Sequence, residues 1–197
     1  MTPAEEIRAA LFSNHVSSLR ENVLKADPNC DLVRKMDQLV KSFGLKWEGF
    51  KWSFDNQKYQ WDGKSQTLRG DSVQNILHEL GHYQVASPKR RLLKGFGLGS
   101  EPDGGNCDSI MAGDYDFREE SRASLMGILW VHHIGGEWRK NMDDHEWDEV
   151  ALTRMGRDET FDETIAWLTK HGILVAGVPQ VKIRTHRDHH SHLLRVQ

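Results

Sequence analysis

The chain has 197 residues, 38% of them hydrophobic and 28% charged, which suits one domain with a sizeable core and excludes an extended polar chain. A formal net charge of −3 provides no whole-molecule field for nucleic acid or an anionic membrane surface. Its two cysteines, Cys30 and Cys107, form no CxxC pair, so neither a disulfide framework nor a cysteine zinc knuckle is expected.

Seven tryptophans point to an aromatic core or a lined cleft. The first residues, Met1 to Glu6, are acidic and lack the apolar stretch of a secretion signal. No apolar run is long enough to cross a bilayer, so a cytoplasmic location is expected and a secreted digestive protease is disfavoured. Residues 1–185 read as one domain, followed by a basic, histidine-rich tail over 186–197.

Thr2, Pro3 and Glu5 form a helix start, with a capping hydroxyl, a first-turn proline and a carboxylate at the capping-box position. Ile7, Leu11, Leu19 and Val23 continue at helical spacing until Asp27-Pro28 breaks the helix. Leu32, Met36, Leu39 and Phe43 stripe a second helix that Gly44 would stop. Residues 45–68 alternate, with Phe50, Trp52 and Phe54, then Tyr59 and Trp61, around a hairpin turn at Asp62-Gly63. Two or three antiparallel strands are expected there. Asp71 is the expected cap of the next helix, with Gln74 at its third position, and Ser87-Pro88 its end. Residues 89–116 read as a long glycine-rich loop, the kind that is usually functional. Further helices are expected over 117–134, 146–154 and 160–170, closed by Gly135-Gly136 and by Gly172. The expected class is α+β, with helices packed around a small antiparallel sheet.

The helix after Asp71 carries His78-Glu79-Leu80-Gly81-His82, an HExxH motif. Residues four apart on a helix stack on one face, so the two imidazoles can grip one metal ion. Glu79 points in a neighbouring direction and is placed to move protons on water at that ion. Val73, Ile76, Leu77 and Leu80 would be the buried stripe, and Gly81 would let another helix come close. Glu119 and Glu120 open the later helix, and either carboxylate would complete a His/His/Glu site. Glu120 shares a face with the small residues Ala123, Ser124 and Gly127, whereas Glu119 shares one with Ala123, Met126 and Trp130. The packing argument favours Glu120, with Glu119 as the alternative.

Lys89-Arg90-Arg91 reads as an anchor for an anionic substrate group or, more ordinarily, as a solvated turn. Tyr83 reads as a core aromatic; His132, His133 and His145 lack partners at ligand spacing and read as structural or exposed.

Two reaction classes share these ligands. Zinc with Glu79 as general base would make a metallopeptidase, and Fe(II) in a facial His/His/carboxylate triad would make an oxygen-using enzyme. A third class keeps the core as a binding protein without turnover.

The run His78-Glu79, His82-Tyr83, Val85-Ala86, Lys89-Arg90-Arg91, Leu93, Phe96-Gly97 and Pro102-Asp103-Gly104 resembles the bacterial elongation factor P hydroxylase family. The similarity covers about residues 73–130 of this chain. It implies a zincin-like α+β fold in which His78, His82 and a downstream glutamate hold a non-haem iron, with Glu79 beside the ligands rather than on the ion; Zn(II) is the alternative ion that the motif's own chemistry allows. The family's alignment slightly favours Glu119 for that position. The resemblance also implies hydroxylation of a protein side chain, a modified lysine of a translation factor, using oxygen without 2-oxoglutarate. No membrane or nucleic-acid partner is expected.

Overall fold

The computed structural model describes residues 1–11, 30–49, 60–97, 118–141 and 161–185. Helix α1 (Pro3–Leu11) opens on the expected capping box: Thr2 Oγ1 accepts from the Glu5 amide at 3.3 Å, and Glu5 Oε2 from the Thr2 amide at 2.7 Å. The expected continuation through Leu19 and Val23, and the break at Asp27-Pro28, lie outside the described residues. Helix α2 (Asp31–Ser42) buries Val33, Met36, Leu39 and Val40, with Leu32 and Phe43 packed at its edges. Gly44 ends it at φ +73°, a left-handed angle that costs glycine little.

Strands β1 (Lys46–Gly49), β2 (Trp61–Asp62) and β3 (Thr67–Gly70) form one sheet in the order β1-β3-β2. β2 pairs antiparallel with β3, but β1 pairs parallel with it, Lys46 opposite Thr67 and Gly49 opposite Gly70. The sheet is therefore mixed, not the antiparallel one expected. A tight turn leaves β2 and β3 only the antiparallel option, whereas residues 50–66 are long enough to bring the chain back to the end where β1 began. The alternating Phe50, Trp52, Phe54 and Tyr59 lie outside the described residues. At the β2–β3 turn, Asp62 Oδ1 accepts from the Lys64 amide at 3.0 Å. A Cβ on Gly63 would sit 2.6 Å from the Arg91 carbonyl, which also accepts from Trp61 Nε1 at 3.0 Å, so this turn needs glycine to approach.

Helix α3 (Val73–Val85) carries the motif. Its cap is Ser72 rather than Asp71: Ser72 Oγ accepts from the Asn75 amide at 3.1 Å, while Asp71 holds the Asn75 side chain. The expected one-sided stripe is also exceeded. Every residue from Ile76 to Val85 is buried, because α3 lies between β3, α2 and helix α4 (Glu119–His133). A short 3-10 turn, Arg90–Leu92, and an irregular turn over Lys94–Gly97, with Gly95 and Phe96 at positive φ, occupy the start of the expected loop. α4 ends as expected, with Gly135 at φ +81°.

The described chain continues with α5 (Trp138–Asn141), α6 (Phe161–Lys170) and a hairpin of β4 (Leu174–Val175) and β5 (Val178–Pro179) that sequence reading missed. Its turn residues Ala176 and Gly177 sit at φ +49° and +74°, the pattern of a two-residue mirror-image turn. Ala-Gly carries that signal far more weakly than Asn-Gly. The hairpin is tied to α3 by Gln84, whose amide donates to the carbonyls of Gln180 and Lys182 at 3.0 and 2.8 Å. The helix expected over 146–154 and the tail from 186 lie outside the described residues. No helix among the described residues is long and apolar enough to cross a membrane.

Candidate metal centre

Helix α3 presents His78 and His82 one turn apart, with their Nε2 atoms 3.1 Å from each other. Glu120, in the first turn of α4, completes the group: Oε1 lies 3.1 Å from His78 Nε2, and Oε2 lies 3.1 Å from His82 Nε2. Bonds of about 2.1 Å to a common ion would separate donors by about 3.0 Å at right angles and about 3.4 Å at tetrahedral angles. The two imidazole nitrogens lie 3.1 Å apart, between those two values, and each lies 3.1 Å from a different oxygen of the same carboxylate, so this donor set could hold one divalent ion. His78 and His82 are buried, whereas the Glu120 side chain is 45% exposed. Solvent therefore reaches the group from the Glu120 side.

The approach of α4 depends on Gly81. A Cβ there would lie 2.3 Å from the Ala123 carbonyl oxygen. Ala123 is one turn beyond Glu120 on the same face, so the contact that admits α4 also delivers the carboxylate.

Burial alone would depress the His82 pKa, but the Glu120 charge, the Glu119 and Glu120 carboxylates beside the ring and the Glu79 charge together raise it well above the ordinary 6.5. Burial would likewise raise Glu120, yet His82 and His78 hold its carboxyl far below the usual carboxylate range. In metal-free protein the His82 contribution to stability is complete below pH 6.5 and disappears as pH rises through the raised value. The Glu120 contribution is present above its ordinary 4.5 and disappears as pH falls through the lowered value. Chelator-treated protein is thus expected to melt highest at weakly acidic pH and lower as the pH becomes alkaline. A melting temperature that rises steadily into alkali would contradict this balance.

Glu119 points into a different environment. It is buried, and Arg90 grips both its oxygens, Nη1 on Oε2 and Nη2 on Oε1 at 2.9 Å. His82 Nδ1 is 3.7 Å away from Oε1. The structure thus brings Glu120, rather than Glu119, between the two imidazoles. No family model, curated protein or solved structure matches this chain.

The Lys89-Arg90-Arg91 run serves neither expected purpose as a whole, since only Lys89 is exposed. Arg91 Nη1 donates to the Ala86 carbonyl at 2.6 Å and its Nη2 to the Arg184 carbonyl at 2.9 Å. Arg184 Nη1 donates to the Val85 carbonyl at 3.2 Å. Two arginines therefore satisfy the open carbonyls at the C-terminus of α3, where positive charge also suits the helix dipole. Tyr83 is a core aromatic, as expected, packed against Phe43 and Trp61. His132 Nε2 pairs with Glu6 at 3.0 Å and joins α4 to α1, and His133 is exposed beside Trp130. Glu79 is buried, and its charge acts on His82. Sequence reading missed Phe96 as a site residue: its ring lies against the His82 imidazole, centroids 5.7 Å apart, and stacks on Trp61 at 5.0 Å. Its place between two glycines, Gly95 and Gly97, was the available signal.

Proposed function

We propose that this chain is a metal-dependent enzyme in which His78, His82 and Glu120 hold one divalent ion. The convergence of three donors within 4.8 Å of one another carries this reading. Our preferred form is an oxygen-dependent, non-haem iron hydroxylase acting on a protein side chain in the cytoplasm, in a zincin-like fold. Three protein donors leave adjacent positions open, the ion would supply oxygen activation, and the half-exposed Glu120 edge provides access. The resemblance over residues 73–130 favours a modified lysine of a translation factor as the target.

A zinc metallopeptidase is the second reading, favoured by one observation. Glu79 is buried between the two histidines in sequence, near enough to act on His82, and a carboxylate there can take the proton of an attacking water.

Metal analysis of protein purified without air, followed by loading with Fe(II) or Zn(II), separates the two readings. Given O2 and a two-electron reductant such as ascorbate, iron-loaded protein is expected to add one oxygen atom to lysine-modified elongation factor P, read by mass, with the other oxygen atom leaving as water, and zinc-loaded protein is not. Tight zinc, with casein cleavage that Glu79→Gln lowers by about 100-fold or more while metal is retained, would replace the hydroxylase reading by the peptidase one.

A further inference from the structure

We propose that Arg90 and Glu119 are positioning residues that fix the ring of His82 for metal binding, an inference that rests on the metal centre proposed above. Arg90 and Glu119 are both almost fully buried. The guanidinium is fully engaged on one side: Nη1 and Nη2 hold the Glu119 carboxylate, and Nε donates to the Phe96 carbonyl at 3.0 Å. Both ends of this clamp meet His82. Glu119 Oε1 faces Nδ1 at 3.7 Å, longer than a hydrogen bond, and Nδ1 is buried with no hydrogen-bond partner of its own, so a proton there is directed at this carboxylate. The Phe96 ring covers the imidazole face at an interplanar angle of 28°.

An imidazole that binds an ion through Nε2 carries its proton on Nδ1. A fixed anion on the Nδ1 side therefore selects the binding tautomer and strengthens the donor. Lysine could not do what Arg90 does, because only the planar fork reaches both carboxylate oxygens and the Phe96 carbonyl together. Phe96 itself sits at φ +54°, next to Gly95 at φ +51°, in a region that bulky residues avoid. Such a conformation persists where its surroundings over-determine it. Here Arg90 holds the carbonyl, while Trp61 and His82 hold the ring. The same pairing keeps Glu119 engaged elsewhere, so Glu120 meets the histidines without competition from its neighbour.

The test is Co(II) titration of the chelator-treated full chain, followed by visible absorption, with melting temperatures measured in parallel. Glu119→Gln is expected to weaken Co(II) binding about tenfold and Arg90→Met/Glu119→Leu about a hundredfold, with altered spectra and one ion still bound. The double variant replaces a buried ion pair by apolar groups, so it is expected to keep its fold better than either single deletion. Unchanged affinity and spectrum in both variants, even with lowered melting temperatures, would overturn the proposal and leave the pair a purely structural one. A wild-type chain that takes up no Co(II), or a Glu120→Ala chain that takes up as much as wild type, would instead overturn the metal centre and the proposal with it.

Discussion

Gly81→Ala is expected to destabilise the protein by about 2 kcal/mol and to weaken metal binding together with stability. Elsewhere in a helix this change is favourable by about 1 kcal/mol, because alanine has the higher helix propensity. At position 81 the new methyl would lie 2.3 Å from the Ala123 carbonyl oxygen and 3.0 Å from the Ala123 Cα. These are backbone atoms of α4 and cannot swing aside as the tip of a side chain would. Overpacking of this kind costs about 1–3 kcal/mol, and the backbone character of the contact puts it at the upper end. Relief requires α4 to move away from α3, which withdraws Glu120 from His78 and His82. Denaturant midpoints and Co(II) affinity measured on the same samples check both halves. A variant as stable as wild type, with unchanged affinity, would show that the helices approach less closely than described.

Glu120→Ala is expected to reduce divalent-metal affinity by more than about 100-fold, beyond the loss typical of a residue that merely supports a ligand. Metal-free stability should fall as well, by the loss of the carboxylate's pairing with His78 and His82. With the Glu120 side chain 45% exposed, its removal opens no cavity in the core. Glu119 cannot take its place, because Arg90 holds both of its oxygens. His78→Ala removes a ligand as completely but deletes a buried ring as well, so Glu120→Ala is the cleaner variant. Isothermal titration with Zn(II) beside a melting curve separates ligand loss from unfolding. Full stoichiometric binding by Glu120→Ala would reject the His78, His82 and Glu120 assignment.

Much of this was legible from local spacing. Thr2 and Glu5 announce the start of α1, and Gly44, Gly135 and Gly172 stand just past helix ends at positive φ, where chemistry confined to a few neighbours decides the outcome. The preference for Glu120 also came from spacing, since its face carries Ala123, Ser124 and Gly127. Other features were not legible because they depend on distant partners. The parallel pairing of β1 with β3 joins segments about twenty residues apart, and no periodicity encodes it. The burial of Arg90 and Arg91 ran against residue type, because guanidinium groups enter a core only where a carboxylate or open helix carbonyls receive them. The β4–β5 hairpin escaped because Ala-Gly is a weak turn signal.

The sequence by itself determined the α+β class and the placing of two imidazoles one helical turn apart, since backbone geometry alone puts residues 78 and 82 on one face. Only the tertiary structure decided which glutamate faces them and what orients them. The reason is physical: adjacent residues at the start of α4 differ by about 100° around its axis. The contact of Gly81 with Ala123 sets that rotation, sending Glu120 to the histidines and Glu119 to Arg90.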